Sequence, residues 1–115
     1  MKSFLIPAAL IAAAIAFPAA AETTHVLIKD YMFTPMTVTV TAGSTVQWTN
    51  MDDIPHSVVM SDKSLRSAAL DTQESFSHTF DKPGTYEYFC GLHPKMVAKV
   101  IVKAAGSAPA MSRGS

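Results

Sequence analysis

Apolar and polar residues alternate with a period of two along most of the chain after residue 25. Such alternation is typical of β-strands that have one buried and one solvated face. Glycines at Gly43 and Gly84 interrupt it, as expected for turns. The clearest runs are Met36–Thr41, Thr45–Asn50, Phe76–Phe80, Tyr86–Cys90 and Ala98–Val102. The pattern predicts an all-β fold, a two-sheet antiparallel Greek-key β-sandwich of seven to eight strands.

The ends of the chain depart from this pattern. Lys2 precedes an apolar run, Phe4–Phe17, and a small-residue stretch that ends at Ala21. This order predicts a signal peptide over residues 1–21 that is cleaved after Ala21. An uncleaved anchor is the alternative, but a spanning helix needs roughly 20 apolar residues and this run is shorter. We expect export, no stable membrane insertion after cleavage, one domain over residues 22–103 and a disordered Ala/Gly/Ser/Pro-rich tail over residues 104–115.

The charge balance and the cysteine content argue against some classes of function. Of the nine basic residues only Lys2 lies in the leader, so eight remain against nine acidic residues. This balance, without a basic patch, argues against nucleic acid as a partner. The single cysteine, Cys90, has no partner for an intramolecular disulfide, which leaves intermolecular pairing or reserved chemistry. An immunoglobulin-type domain would need a second cysteine beside Trp48 and Cys90, so we interpret Trp48 as a core residue.

The stretch after Cys90 has the spacing of a metal site. His93 and Met96 follow Cys90 at intervals of three residues, and we predict a loop over residues 91–95 between two strands. His56, which follows Pro55 at the head of another apolar strand, is a candidate fourth donor. A thiolate, two imidazoles and a weak thioether are the donor set of blue-copper sites, whereas a thioether contributes little to zinc binding. The sequence predicts one bound copper ion.

Other residues with possible metal chemistry have simpler interpretations. We expect His25 to be solvated and His78 to be a partly buried strand histidine between Phe76 and Phe80. Apolar residues show no clear period over residues 61–73, and this pattern predicts an irregular or briefly helical connection. Four further methionines are interpreted as packing residues: Met32, Met36, Met51 and Met60.

At the level of whole motifs, the mature domain resembles the small blue-copper proteins, the cupredoxins of the plastocyanin/azurin family, and among them the amicyanins. The resemblance implies a cupredoxin domain with His56, Cys90 and His93 as equatorial copper ligands and Met96 as the axial one. It implies a periplasmic electron carrier that is not an enzyme. The motifs that carry it are Phe33–Pro35, Val40–Gly43, Val46–Asn50, Pro55–Val58, Gly84–Cys90 and His93–Met96.

Three positions near the expected metal site depart from the amicyanin pattern, and His78 is a fourth departure, where relatives often carry an apolar strand residue. Ser57 and Gly91 replace the two side chains that tie the ligand loops together in that group, so we expect this side-chain tether to be absent. The backbone N–H of Ser57 is still expected to donate to the Cys90 sulfur. Lys95 replaces an aromatic residue, which makes the rim of the site less apolar.

The resemblance also implies how electrons pass. We expect them to enter and leave at the exposed edge of His93, within a small apolar patch that includes Leu92 and Pro94, with Met51 and Ile54 nearby. Such a patch suits transient protein redox partners and a monomer. The competing interpretation is a periplasmic protein for copper storage, delivery or resistance. Sites of that kind are rich in Met or His, and the sequence shows neither a Met-x-x-Met cluster nor a His tract.

Overall fold

A computed structural model describes residues 22–106; the predictions for residues 1–21 and 107–115 lie outside the described residues. The described residues form strands and no helices. Among them there is accordingly no apolar helix that could cross a membrane. The eight strands are β1 (Thr23–Lys29), β2 (Met32–Thr34), β3 (Thr37–Thr41), β4 (Ser44–Asn50), β5 (Val59–Met60), β6 (Ser75–Phe80), β7 (Gly84–Cys90) and β8 (His93–Lys103).

The strands form two four-stranded sheets, in the orders β2-β1-β4-β6 and β3-β8-β7-β5. Because the chain passes back and forth between the sheets, consecutive strands often lie in different layers. This arrangement confirms the predicted all-β two-sheet sandwich. The prediction of purely antiparallel sheets is wrong for two pairs, since β1 runs parallel to β4 and β3 runs parallel to β8. Alternation reports which face of a strand is buried and carries no information on strand direction.

The core lies between the sheets and is built from the inward positions of each alternating run. In β4 every second residue is buried, and Trp48 is fully enclosed at the centre. Its ring packs against Phe76, Phe80 and Tyr88 at centroid distances of 5.9, 6.5 and 5.3 Å. The prediction that Trp48 is a core residue is confirmed.

The connection between β5 and β6 is irregular and contains no helical turn among its described residues. Two isolated bridges hold it to the sandwich, one between His56 and Leu70 and one between Val59 and Arg66. Leu70 is buried, whereas Ala68 and Ala69 are exposed. This segment forms one wall beside His56, so it helps to position the residues described next.

Candidate metal centre

His56 lies in a rigid setting. Its backbone exchanges two hydrogen bonds with Leu70, with N···O distances of 3.1 and 2.7 Å. Pro55 precedes it, and the pyrrolidine ring fixes the φ angle of Pro55 itself. The imidazole is wholly buried. The chain therefore holds this ring in one place before any ligand is considered.

Cys90 and His93 face each other across a tight turn. Cys90 is the last residue of β7 and pairs with His93, the first residue of β8, so only Gly91 and Leu92 lie between the strands. The predicted loop over residues 91–95 is too long, because antiparallel pairing continues to the metal-facing residues themselves. The turn brings the thiol and the second imidazole to the same end of the sandwich as His56.

Three donor atoms converge at this point. The Sγ atom of Cys90 lies 3.5 Å from Nδ1 of His56 and 3.9 Å from Nδ1 of His93. All three donors lie within 4.8 Å of one another. Metal bonds of about 2.0–2.3 Å require separations of this size, so one ion fits among them. The thiol has no disulfide partner, and its residue is fully buried.

Met96 lies on β8, three residues after His93, and is only 7% exposed. It belongs to the same buried cluster as Cys90. The structure thus brings His56, Cys90 and His93 together by measured distances and places the Met96 side chain in the core. A thioether among two imidazoles and a thiol is a donor set suited to copper.

Two hydrogen bonds join Ser57 to the Cys90 turn. Its backbone N–H points to the Cys90 sulfur at 3.4 Å, as expected. Its hydroxyl oxygen accepts a hydrogen bond from the backbone N–H of Gly91 at 2.9 Å. The tether between two side chains is absent, as expected, but a hydrogen bond between a serine hydroxyl and a backbone amide takes its place. The two metal-binding loops remain tied to each other.

Asp52 and Tyr31 also contact the histidines, and sequence reasoning missed both. Oδ2 of Asp52 lies 2.8 Å from Nε2 of His56. The Tyr31 ring stands edge-on to His56 and His93, at centroid distances of 5.5 and 5.0 Å. The Asn50-x-Asp52 spacing is typical of an Asx turn, and the amide of Asp52 does bond to the Asn50 side chain. No local pattern indicated that Tyr31 would reach the site.

The Asp52 carboxyl is mostly buried. Burial raises its pKa, but hydrogen bonds from the backbone N–H groups of Tyr31 and Asp30 and the contact with His56 outweigh that effect. The pKa therefore lies below its ordinary value. Asp52 is a carboxylate at neutral pH, which places a negative charge on the far side of the His56 ring from Cys90.

The other candidate residues are partly as predicted. His25 is exposed, and His78 is half-buried on β6 against Phe80, at 4.8 Å; neither joins the three-donor group.

Met60 is buried, as a packing residue should be. The packing interpretation is wrong for three methionines that are about half exposed, Met32, Met36 and Met51. The first two lie on or just after the short strand β2, where they line a surface cavity of about 110 Å³ together with Met96.

The residues expected to form an apolar patch with His93 differ in exposure. Leu92 is 50% exposed and Met51 is 43% exposed. Pro94 is also exposed, and Ile54 is half-buried. His93 itself is only partly covered.

Comparison with known proteins agrees with this sandwich and its metal-binding end. A family model described as a cupredoxin-like domain matches residues 2–102. Amicyanin-alpha of Methylorubrum extorquens is 37% identical over 90 residues, covering 74% of this chain and 76% of the relative. Amicyanin of Paracoccus versutus is 35% identical, covering 72% of this chain and 67% of that protein.

Solved structures show the same likeness. A copper(I) structure of an amicyanin variant superposes with a TM-score of 0.67 at 29% identity, covering 70% of this chain and 82% of the other. A purple cupredoxin from Nitrosopumilus maritimus gives a TM-score of 0.66 at 29% identity, with 70% and 99% covered. Fold and site together define a small metal-binding β-sandwich. The chain belongs to the cupredoxin-like family.

Proposed function

We propose that the protein is a mononuclear blue-copper electron carrier in which His56, Cys90, His93 and Met96 bind one copper ion. The convergence of two imidazole Nδ1 atoms on the Cys90 sulfur, at 3.5 and 3.9 Å, carries the proposal. Homologous amicyanins and plastocyanins support it. The protein is an electron carrier and not an enzyme.

Bound copper supplies a one-electron Cu(II)/Cu(I) couple. The chain's part is to hold the donors in a compromise arrangement that serves both oxidation states. The His56 backbone is bonded to Leu70, and Ser57 bonds to both Cys90 and Gly91. These bonds hold the backbone of His56 and the Cys90 sulfur in place, so these two donors keep their positions when the charge of the site changes. Little reorganisation then accompanies each electron.

Electrons enter and leave at the His93 edge, which is the only partly exposed member of the three-donor group. Leu92 and Pro94 form the apolar rim there. The protein interacts transiently with redox partner proteins, and a small apolar rim suits such brief encounters. The exported protein works as a monomer in the periplasm.

Copper loading of the mature protein tests the ligand assignment. The oxidised protein is expected to show an intense visible band from thiolate-to-copper charge transfer. Cys90→Ala should abolish this band, and His56→Ala should shift or abolish it. His25→Ala, a change in an exposed histidine, is the control and should leave the spectrum unchanged. A visible band that survives in Cys90→Ala would contradict the assignment.

Repeated reduction with ascorbate and reoxidation distinguishes a carrier from a copper store. A carrier should complete several cycles with copper still bound, because its site serves both oxidation states. Copper content after gel filtration of each form is the measurement. Stoichiometric loss of copper on every reduction would favour storage or delivery.

A further inference from the structure

The carboxylate of Asp52 connects two parts of the chain that are far apart in sequence. Oδ2 contacts Nε2 of His56 at 2.8 Å. Oδ1 accepts the backbone N–H of Asp30 at 2.8 Å, and Oδ2 accepts that of Tyr31 at 3.1 Å. The side chain is only 12% exposed. One buried anion therefore joins the His56 ring to the turn between β1 and β2.

The first consequence concerns the His56 ring. A carboxylate accepts hydrogen bonds and does not donate them, so in the neutral imidazole the proton resides on Nε2. Nδ1 is then unprotonated and faces the Cys90 sulfur at 3.5 Å. A carboxylate on the far nitrogen fixes the tautomer and orientation of a ligating histidine and makes it a stronger donor.

The second consequence concerns the turn. Asp30 and Tyr31 have φ values of 53° and 60°, a left-handed conformation that is uncommon for residues with side chains. Consecutive N–H groups in such a turn can point together at an anion, and here they point at Asp52. The Tyr31 ring then lies nearly perpendicular to the rings of His56 and His93. The same carboxylate thus orients one histidine directly and covers both through Tyr31.

We propose that Asp52 is a positioning residue of the copper centre, which orients His56, places Tyr31 over the two histidines and favours Cu(II) over Cu(I) by its negative charge. This inference rests on the proposed function for its redox part only. The charge argument follows from Coulomb attraction, which is stronger for the more highly charged ion.

Reduction potentials of three variants of the mature protein test the charge. Asp52→Asn keeps the shape and a hydrogen-bond acceptor but removes the charge; Asp52→Ala removes both. Asp53→Asn, in the exposed neighbouring acid, is the control for a general loss of charge. Loss of an outer partner lowers metal affinity roughly 10–100-fold. We expect Asp52→Asn to weaken Cu(II) binding about tenfold relative to Cu(I), which raises the one-electron potential by about 59 mV.

NMR of the copper-free protein tests the positioning separately from the proposed function. In the wild type, His56 Nε2–H should give a downfield, slowly exchanging resonance, and the Tyr31 amide should be protected from exchange. Asp52→Ala should lose both signals, while Asp53→Asn keeps them. Circular dichroism and Trp48 fluorescence verify that each variant is folded. An Nε2–H signal that is absent from the wild type or retained in Asp52→Ala would overturn the proposal, as would a wild-type potential in Asp52→Asn.

Discussion

The backbone N–H of Gly91 donates a hydrogen bond of 2.9 Å to the Ser57 hydroxyl, and this bond ties the two loops that carry the metal donors. A Cβ atom built on Gly91 would lie 2.7 Å from the same oxygen and 3.1 Å from Cγ2 of Val59. Because Gly91 has no side chain, there is room for the Ser57 hydroxyl beside it. Ser57 and Gly91, two of the departures from the amicyanin pattern, therefore form one complementary pair.

Gly91→Ala should destabilise the protein. The Ser57 hydroxyl must rotate away from the new methyl group, which breaks its bond to residue 91, and Val59 must also shift. Overpacking of this kind costs about 1–3 kcal/mol. Urea unfolding of the copper-free protein measures the loss, and the visible band of the copper-loaded variant should change because the Cys90 turn moves.

Ser57→Ala provides the matched control. Alone it should cost about 1 kcal/mol, since the Gly91 amide loses its partner. Combined with Gly91→Ala it removes the atom that causes the closest clash. The double variant should therefore be less destabilised than the sum of the single ones, with a coupling of at least about 0.5 kcal/mol. Additive effects would contradict the steric argument.

Asn50→Ala should destabilise the loop that leads to His56. The fully buried amide donates to the carbonyls of Ile54 and Leu70, both at 2.8 Å, and its oxygen accepts the Asp52 N–H at 2.9 Å. Losing three such bonds should cost about 2–4 kcal/mol, measured by urea unfolding. Thr49→Ala, which loses only an exposed hydroxyl contact with Ser75, should cost less than about 1 kcal/mol. Equal losses would show that Asn50 has no special role.

Tyr88→Phe should stabilise the protein. The Tyr88 hydroxyl is buried and makes no hydrogen bond of good geometry with the described residues. Its polar neighbour, the indole N–H of Trp48, only weakly offsets the effect of burial on the hydroxyl, so removal of the hydroxyl should gain about 1 kcal/mol at neutral pH. Tyr86→Phe is the control and should lose stability, because the Tyr86 hydroxyl donates to the Lys82 carbonyl at 2.6 Å. A destabilised Tyr88→Phe variant would show that the hydroxyl is an effective partner of the Trp48 indole N–H.

Tyr88 should also make the folded protein less stable at alkaline pH. Burial raises the pKa of Tyr88 from 10.0 to about 12. Between these values the unfolded chain releases the phenolic proton while the folded protein keeps it, so stability falls as pH rises. At about 1.4 kcal/mol per pKa unit, the loss reaches roughly 2 kcal/mol at pH 12 and approaches its limit only above that pH. Unfolding curves from pH 8 to 12 should show this loss in the wild type and a smaller one in Tyr88→Phe.

Leu92→Glu should slow electron exchange at the His93 edge. Two molecules that meet through this rim would bring like charges together, which should reduce the self-exchange rate roughly tenfold or more at low salt. NMR line broadening in mixtures of the two oxidation states measures that rate. Leu27→Glu, at a leucine of β1 that is 42% exposed, is the control and should have little effect. Equal slowing in both variants would place the exchange surface elsewhere.

Much of the metal-binding end could be predicted because its signals are local. Cys90, His93 and Met96 lie within seven residues, so one turn brings at least two donors together whatever the rest of the chain does. His56 was predicted from its place before an apolar strand. Asp52 and Tyr31 were missed because their roles depend on a left-handed turn that meets a loop more than twenty residues away.

The exposure of three methionine side chains also could not be predicted from the local sequence. Met32, Met36 and Met51 are apolar and were expected to pack, but β2 is a three-residue strand at the edge of its sheet and leaves Met32 half exposed. Apolar character raises the tendency to be buried without deciding it. Whether a given side chain is covered depends on which strand lies next to it.

The all-β class, the inward face of each main strand and three of the candidate donors, Cys90, His93 and Met96, could be predicted from the chain alone, because period-two burial and short spacings are properties of neighbouring residues. The parallel pairing of β1 with β4 and of β3 with β8 became visible only in the folded protein. The same holds for the link between Ser57 and Gly91 and for the support that Asp52 gives His56. These contacts join residues that are adjacent only after the sheets have packed, and no periodic pattern along the chain records which distant residues will meet.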